Sequence, residues 1–145
     1  MGNSIAGDYT VATLCLLHGH ANVYNIPSIG GTTDKGLENI NVTLGKGKWD
    51  VINFNWGLHD LTVLLGQGGV KNDGTYLVPL DRYEKNLREL VKILKGTGAA
   101  LIWASTTPVP DADVKILYRK NSDAIAYNGV ARKIMEENGI AIDDL

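Results

Sequence analysis

Three short stretches place a reactive or donor-bearing residue beside glycine where apolar runs stop: Gly2-Asn3-Ser4-Ile5, Ile29-Gly30-Gly31-Thr32-Thr33 and Asn55-Trp56-Gly57-Leu58-His59-Asp60. A serine between a glycine and a helix start can present its hydroxyl to a substrate while helix N–H groups face developing negative charge. Taken alone, Ser4 is more often a helix N-cap, which needs nothing but a side-chain oxygen. The Gly30-Gly31 pair lets backbone N–H groups come close to a ligand, as an oxyanion hole for acyl transfer requires, and on its own it is also an ordinary turn. His59, with Gly57 giving room, can donate from its ring to an oxyanion, although a lone histidine is more often structural.

Other reactive side chains offer less. His18 and His20 end the first helix, where imidazole meets the helix dipole favourably. Ten helical residues at about 1.5 Å each put them about 15 Å from Ser4, too far to serve it as a base. As a metal site the pair lacks further Cys or His ligands at fitting spacing. His59 acting as base is a further option. The single cysteine, Cys15, lies in an apolar run and reads as a packed thiol that forms no intrachain disulfide. Residues 66–74 hold four glycines, but Lys71-Asn72-Asp73 is not the Gly-Lys-Ser/Thr that a phosphate-binding loop needs. Asn41-Val42-Thr43 matches the glycosylation acceptor pattern, one short enough to arise by chance.

These stretches must be held by elements, and helical and strand patterns alternate down the chain, which predicts an α/β domain with a mostly parallel sheet covered on both faces. Helices are expected over 6–18, with Val11, Leu14, Cys15 and Leu17 as apolar positions, over 34–44, and over 81–95. In the last, Tyr83, Leu87, Leu90, Val91 and Leu94 share one face and Gly96 follows as the stop. A final helix over 122–138 presents Ile125, Val130, Ile134 and Met135. Strands are expected over 22–26, 50–56, 99–105 and from 140, with 66–74 as loop. In open parallel sheets, active sites lie beyond the carboxyl ends of the strands, which is where the second and third stretches fall.

The chain has 145 residues, 44% of them hydrophobic and 21% charged, which suits one domain spanning 1–145. A net charge of −2 with 14 scattered Lys and Arg gives no footprint for nucleic acid. No stretch reaches the ~18 apolar residues of a membrane span, and no basic region followed by an apolar segment opens the chain. The compartment and oligomeric state stay open.

Taken together and in this order, the three stretches resemble the blocks of the SGNH (GDSL-like) hydrolase family. Gly2-Asn3-Ser4-Ile5 looks like its Gly-Asp-Ser-Leu block, with Asn3 in place of Asp and Ser4 on the nucleophile. Gly31 falls on the glycine whose N–H helps form the oxyanion hole. Gly57-Leu58-His59-Asp60 resembles Gly-x-Asn-Asp, with His59 where the donor Asn stands, as in a branch of the family. Arg82-Tyr83-Glu84-Lys85-Asn86-Leu87, Trp103-Ala104-Ser105-Thr106-Thr107-Pro108 and Ala126-Tyr127-Asn128 are similar to it too.

The resemblance implies a flavodoxin-like three-layer α/β/α fold, no metal or organic cofactor, and a small-molecule or carbohydrate ester substrate, with short acyl groups such as acetyl. It also implies an Asp-x-x-His block carrying the general base and a central first strand ahead of Ser4, neither of which the 145 residues contain. The chain is therefore expected to be a piece of an esterase, truncated at both ends. By itself it should be weakly active or inactive, since losing a triad member costs on the order of 10⁴–10⁶ in rate. Competing readings are a non-catalytic carbohydrate or acyl-ligand binding domain, and a subunit completed by strand donation from another chain.

Overall fold

The computed structural model describes residues 1, 5–26, 31–65, 71–110 and 117–145. Its frame is a parallel sheet of three strands, β1 (Val51–Phe54), β4 (Ala100–Ala104) and β6 (Ala141–Asp143), in the order β1-β4-β6. Val51 pairs with Ala100 and Phe54 with Trp103, while Ile102 pairs with Ala141 and Ala104 with Asp143. Parallel neighbours need long crossovers. Helix α3 (Leu80–Lys95) lies on the path from β1 to β4, and α4 (Asn121–Asn138) on the path from β4 to β6.

Helix α3 follows its sequence pattern closely. Tyr83, Asn86, Leu87, Leu90, Val91 and Leu94 are buried along one stripe, and burying each of the large apolar side chains contributes about 1.5–3 kcal/mol. The stripe packs between α2 (Thr33–Leu44) on one side and α4 on the other. Fully buried Phe54, Trp56 and Trp103 join the same core. Close approach of α2 is possible because Gly36 has no side chain: a Cβ there would lie 2.9 Å from Trp56 Nε1 and 3.0 Å from its Cε2.

Both crossovers detour through a second, antiparallel sheet that the sequence does not announce. It is ordered β3-β2-β5, from Val63–Leu65 (β2), Lys71–Tyr76 (β3) and Leu117–Tyr118 (β5). The glycine-rich stretch 66–74, expected to be loop, thus becomes strand from Lys71 on, because pairing with β2 outweighs weak intrinsic preference. Residues 66–70 lie outside the described residues. Since β2 and β3 follow β1 and β5 follows β4, the second sheet gathers chain leaving the carboxyl ends of both strands.

Three further expectations are corrected. Helix α1 spans Ile5–Leu16, but Val11 is 68% exposed, Leu14 and Leu17 are exposed, and Cys15 is an exposed thiol rather than a packed one. Apolar residues fall all round this helix, so its sequence dictates no buried stripe. Residues 22–26 form no strand, since they join no ladder. On α4 the buried stripe is Ala124, Tyr127, Ala131, Ile134 and Met135, leaving Ile125 66% exposed. Ile125 sits one residue, about 100°, away from that stripe.

Gly36→Ala should lower stability by on the order of 1–2 kcal/mol, because overpacking against Trp56 exceeds the gain in helix propensity. Urea unfolding measures it; an unchanged or higher midpoint would show that α2 does not rest on the indole.

Candidate functional site

The carboxyl end of β1 leads straight into the turn 57–61, and a set of hydrogen bonds fixes that turn. Within it, Leu61 N donates to Gly57 O (3.0 Å), Thr62 N to His59 O (3.2 Å) and Thr62 Oγ1 to Leu58 O (2.9 Å). Tyr83 OH of α3 donates to Trp56 O at 2.9 Å, and Val78 N, just ahead of α3, donates to Asp60 O at 3.1 Å. Gly57 has φ +152°, and a Cβ there would lie 2.6 Å from Thr106 Oγ1. Only glycine fits such a backbone without strain, so the expectation that Gly57 makes room acquires a partner, Thr106, just past β4.

The second expected stretch is tied to this turn. Thr32 is the N-cap of α2, its hydroxyl accepting from Lys35 N, and Gly31 precedes it at φ +142°. The first helical N–H, that of Thr33, has no partner within the helix. It donates instead to Asp60 Oδ1 at 2.8 Å, and Thr33 Oγ1 donates to the same oxygen at 2.6 Å. Asn86 of α3 braces the pair, donating to Thr33 Oγ1 (3.1 Å) and to Asp34 Oδ1 (2.7 Å). Gly31 is two residues from Thr33 and His59 is one residue from Asp60. The tie therefore brings the two oxyanion candidates onto one rim, although 27 residues separate its partners.

Burial sets the protonation of this rim. Asp60 is fully buried, its Oδ2 has no hydrogen-bond partner among the described residues, and desolvation pushes its carboxyl up to about 6 against the smaller pull of the Thr33 hydrogen bonds. Half-buried His59 is held below its ordinary value by burial first and by the charge of Arg119 second. At neutral pH its ring is neutral and keeps one N–H to donate.

Ser4 and Asn3 lie outside the described residues, but the chain on either side of them meets β1. Met1 N donates to Asn53 O (2.7 Å), Asn55 N donates to Met1 O (2.9 Å), and Tyr9 OH of α1 donates to Asn53 Oδ1 (3.4 Å). His18 and His20 lie in the turn after α1. Among the described residues no three His, Cys, Asp or Glu side chains could hold a metal ion, and no helix is long and apolar enough to cross a membrane. Reading the sequence assigned no role to Thr33, Asn86, Thr106 or Arg119. Their partners lie far off along the chain, and no spacing rule marks them.

The Asp60 carboxyl has an ordinary value of 3.8 and about 6 when folded. Between these values the folded state holds a proton that the unfolded chain has released. Stability therefore falls as pH rises through that window, by on the order of 3 kcal/mol. Asp60→Asn keeps an oxygen for Thr33 and removes this step. Urea unfolding from about pH 4 to about pH 7 should show the wild type losing stability relative to the variant; parallel curves would place the carboxyl at its ordinary value.

No family model and no curated protein sequence matches this chain. Solved structures do. An acetyl xylan esterase superposes with a TM-score of 0.73 at 16% identity, over 99% of this chain and 74% of its own. The acetylxylan esterase Axe2 from Geobacillus stearothermophilus gives 0.68 at 18% identity, over 97% of this chain and 72% of its own. A GDSL-like lipase from Bacteroides thetaiotaomicron gives 0.69 at 13% identity, with 99% of this chain spanning 65% of it. Such identities establish a fold and leave chemistry to the residues. The chain carries the SGNH hydrolase-like fold, a mixed α/β architecture shared over nearly its whole length with these esterases and lipases.

Proposed function

We propose that these 145 residues are the nucleophile- and oxyanion-bearing part of a serine esterase acting on short acyl esters of the acetyl type, on a carbohydrate. The observation that carries the reading is the double hydrogen bond from Thr33 to Asp60 Oδ1, which joins the segment of Gly31 to the turn of His59. The anchoring of Met1 and Tyr9 at Asn53 holds the chain on either side of the Ser4 stretch against β1, the strand that leads into the turn of His59. Acetyl xylan esterases among the structural neighbours support the acyl group and the carbohydrate.

In this reading Ser4 Oγ attacks the acyl carbonyl carbon while its proton passes to a histidine of an Asp-x-x-His block, which these residues lack. The oxyanion accepts from the N–H groups of Ser4 and Gly31 and from the His59 ring. Collapse expels the alcohol, which takes the proton. Water then attacks the acyl-serine, releasing the acid and restoring Ser4. Asn3, Gly57 and Asp60 support the geometry, Asp60 through Thr33.

A version extended through an Asp-x-x-His block should hydrolyse p-nitrophenyl acetate and lose that activity with Ser4→Ala, while the 145-residue chain shows on the order of 10⁴–10⁶ less. An inactive extended protein would leave the non-catalytic ligand-binding domain as the better reading. In the active version, His59→Ala should cost about 10²–10³ in kcat, and His59→Asn, which restores a donor, should recover much of it. Equal losses in both variants would remove His59 from the oxyanion hole.

A further inference from the structure

Arg119 stands beside the His59 turn, with no counter-ion among the described residues. It follows β5, whose Tyr118 pairs with Val63 of β2. Its Nε donates to Thr62 Oγ1 at 2.8 Å, and Thr62 in turn donates through its N–H to His59 O and through its hydroxyl to Leu58 O. Thus the guanidinium is fastened to the very turn that carries His59. Its charge is felt at the imidazole. Among the described residues no carboxylate makes an ion pair with it, although six such pairs occur elsewhere, every other one involving Lys35, Arg82, Arg88, Lys92 or Arg132.

A partly buried arginine loses hydration that only an acceptor can replace. With Nε committed to Thr62, the two terminal nitrogens present a planar fork, which matches the two oxygens of a carboxylate. Lys120 does not add a second charge there, since its Nζ lies 5.5 Å from the centre of the Tyr118 ring, and alternate residues of an extended strand point the same way, with Arg119 opposite. One cation suits a monoanion better than a phosphate dianion.

We propose that Arg119 forms a carboxylate subsite next to the His59 turn, so that the substrate is an ester bearing a carboxylate, such as an acylated uronic acid. As a statement about substrate this rests on the esterase reading; as a statement about binding it stands apart and is measured without turnover. Arg119 is then a specificity residue, holding the non-reacting part of the substrate at a fixed distance from the oxyanion candidates.

The test is an NMR titration of the 145-residue chain, following the His59 ring signals, identified by their loss in His59→Asn. Galacturonate is the probe, its methyl ester the uncharged match, and monomethyl succinate the arm that puts the carboxylate on the acyl side. Galacturonate should shift the His59 signals saturably, and both the methyl ester and Arg119→Gln should weaken binding by at least about tenfold. Arg119→Lys should fall between. Stronger binding of monomethyl succinate would support the subsite and move the carboxylate to the acid half of the ester. Equal response to the methyl ester, undiminished binding by Arg119→Gln, or no response to either acid would overturn the proposal. The comparison of acid with methyl ester uses the wild type alone, so a variant that unfolds leaves the answer intact. Carboxylate binding without p-nitrophenyl acetate turnover in the extended protein would remove the reaction and keep the site.

Discussion

The structure turns on one buried carboxyl. Asp60 Oδ1 takes both the N–H and the hydroxyl of Thr33. Through that oxygen the start of α2, the turn after β1 and, by way of Asn86, the stripe of α3 are held to one another. A helix start leaves N–H groups without partners, and here the partner comes from another loop rather than from the N-cap residue alone. The cost is a carboxyl taken out of water, with one oxygen unpartnered among the described residues, and it appears as the upward shift of Asp60.

Around this tie the fold divides labour between two sheets. The parallel sheet, covered by the stripes of α3 and α4, fixes where the strands end. Rigidity there comes from full burial of Phe54, Trp56, Trp103, Leu87 and Ile134. The small antiparallel sheet gathers the chain that leaves β1 and β4, and brings Arg119 back against Thr62. Loops on a rigid scaffold are where folds of this kind change their chemistry. Arg119, just after β5, stands on such a loop, bonded to the turn that carries His59.

Electrostatics on this rim run against ionisation of either titratable side chain. Desolvation favours a neutral Asp60 and a neutral His59, and Arg119 reinforces the latter. At pH 7 a carboxyl at about 6 is still largely ionised, so this rim carries the Asp60 carboxylate, bonded to Thr33, beside a neutral His59 ring and the Arg119 cation.

Much of this was legible in the sequence. The stripe of α3, the strands β1, β4 and β6, and the place of His59 just after β1 follow from local periodicity and glycine position, which are properties of neighbouring residues; the strand expected ahead of Gly31 does not form. The resemblance of the three glycine-bearing blocks supplied the fold. What the sequence could not fix were matters settled by contact at a distance. The exposure of Cys15 and Val11 depends on what covers α1, the strand at Lys71–Tyr76 on the presence of β2, and the absence of a strand over 22–26 on the lack of a ladder to join. The bonds from Thr33 to Asp60 and from Arg119 to Thr62 span 27 and 57 residues. Hydrogen bonds of that reach leave no periodic trace in the sequence, so only the folded chain decides them.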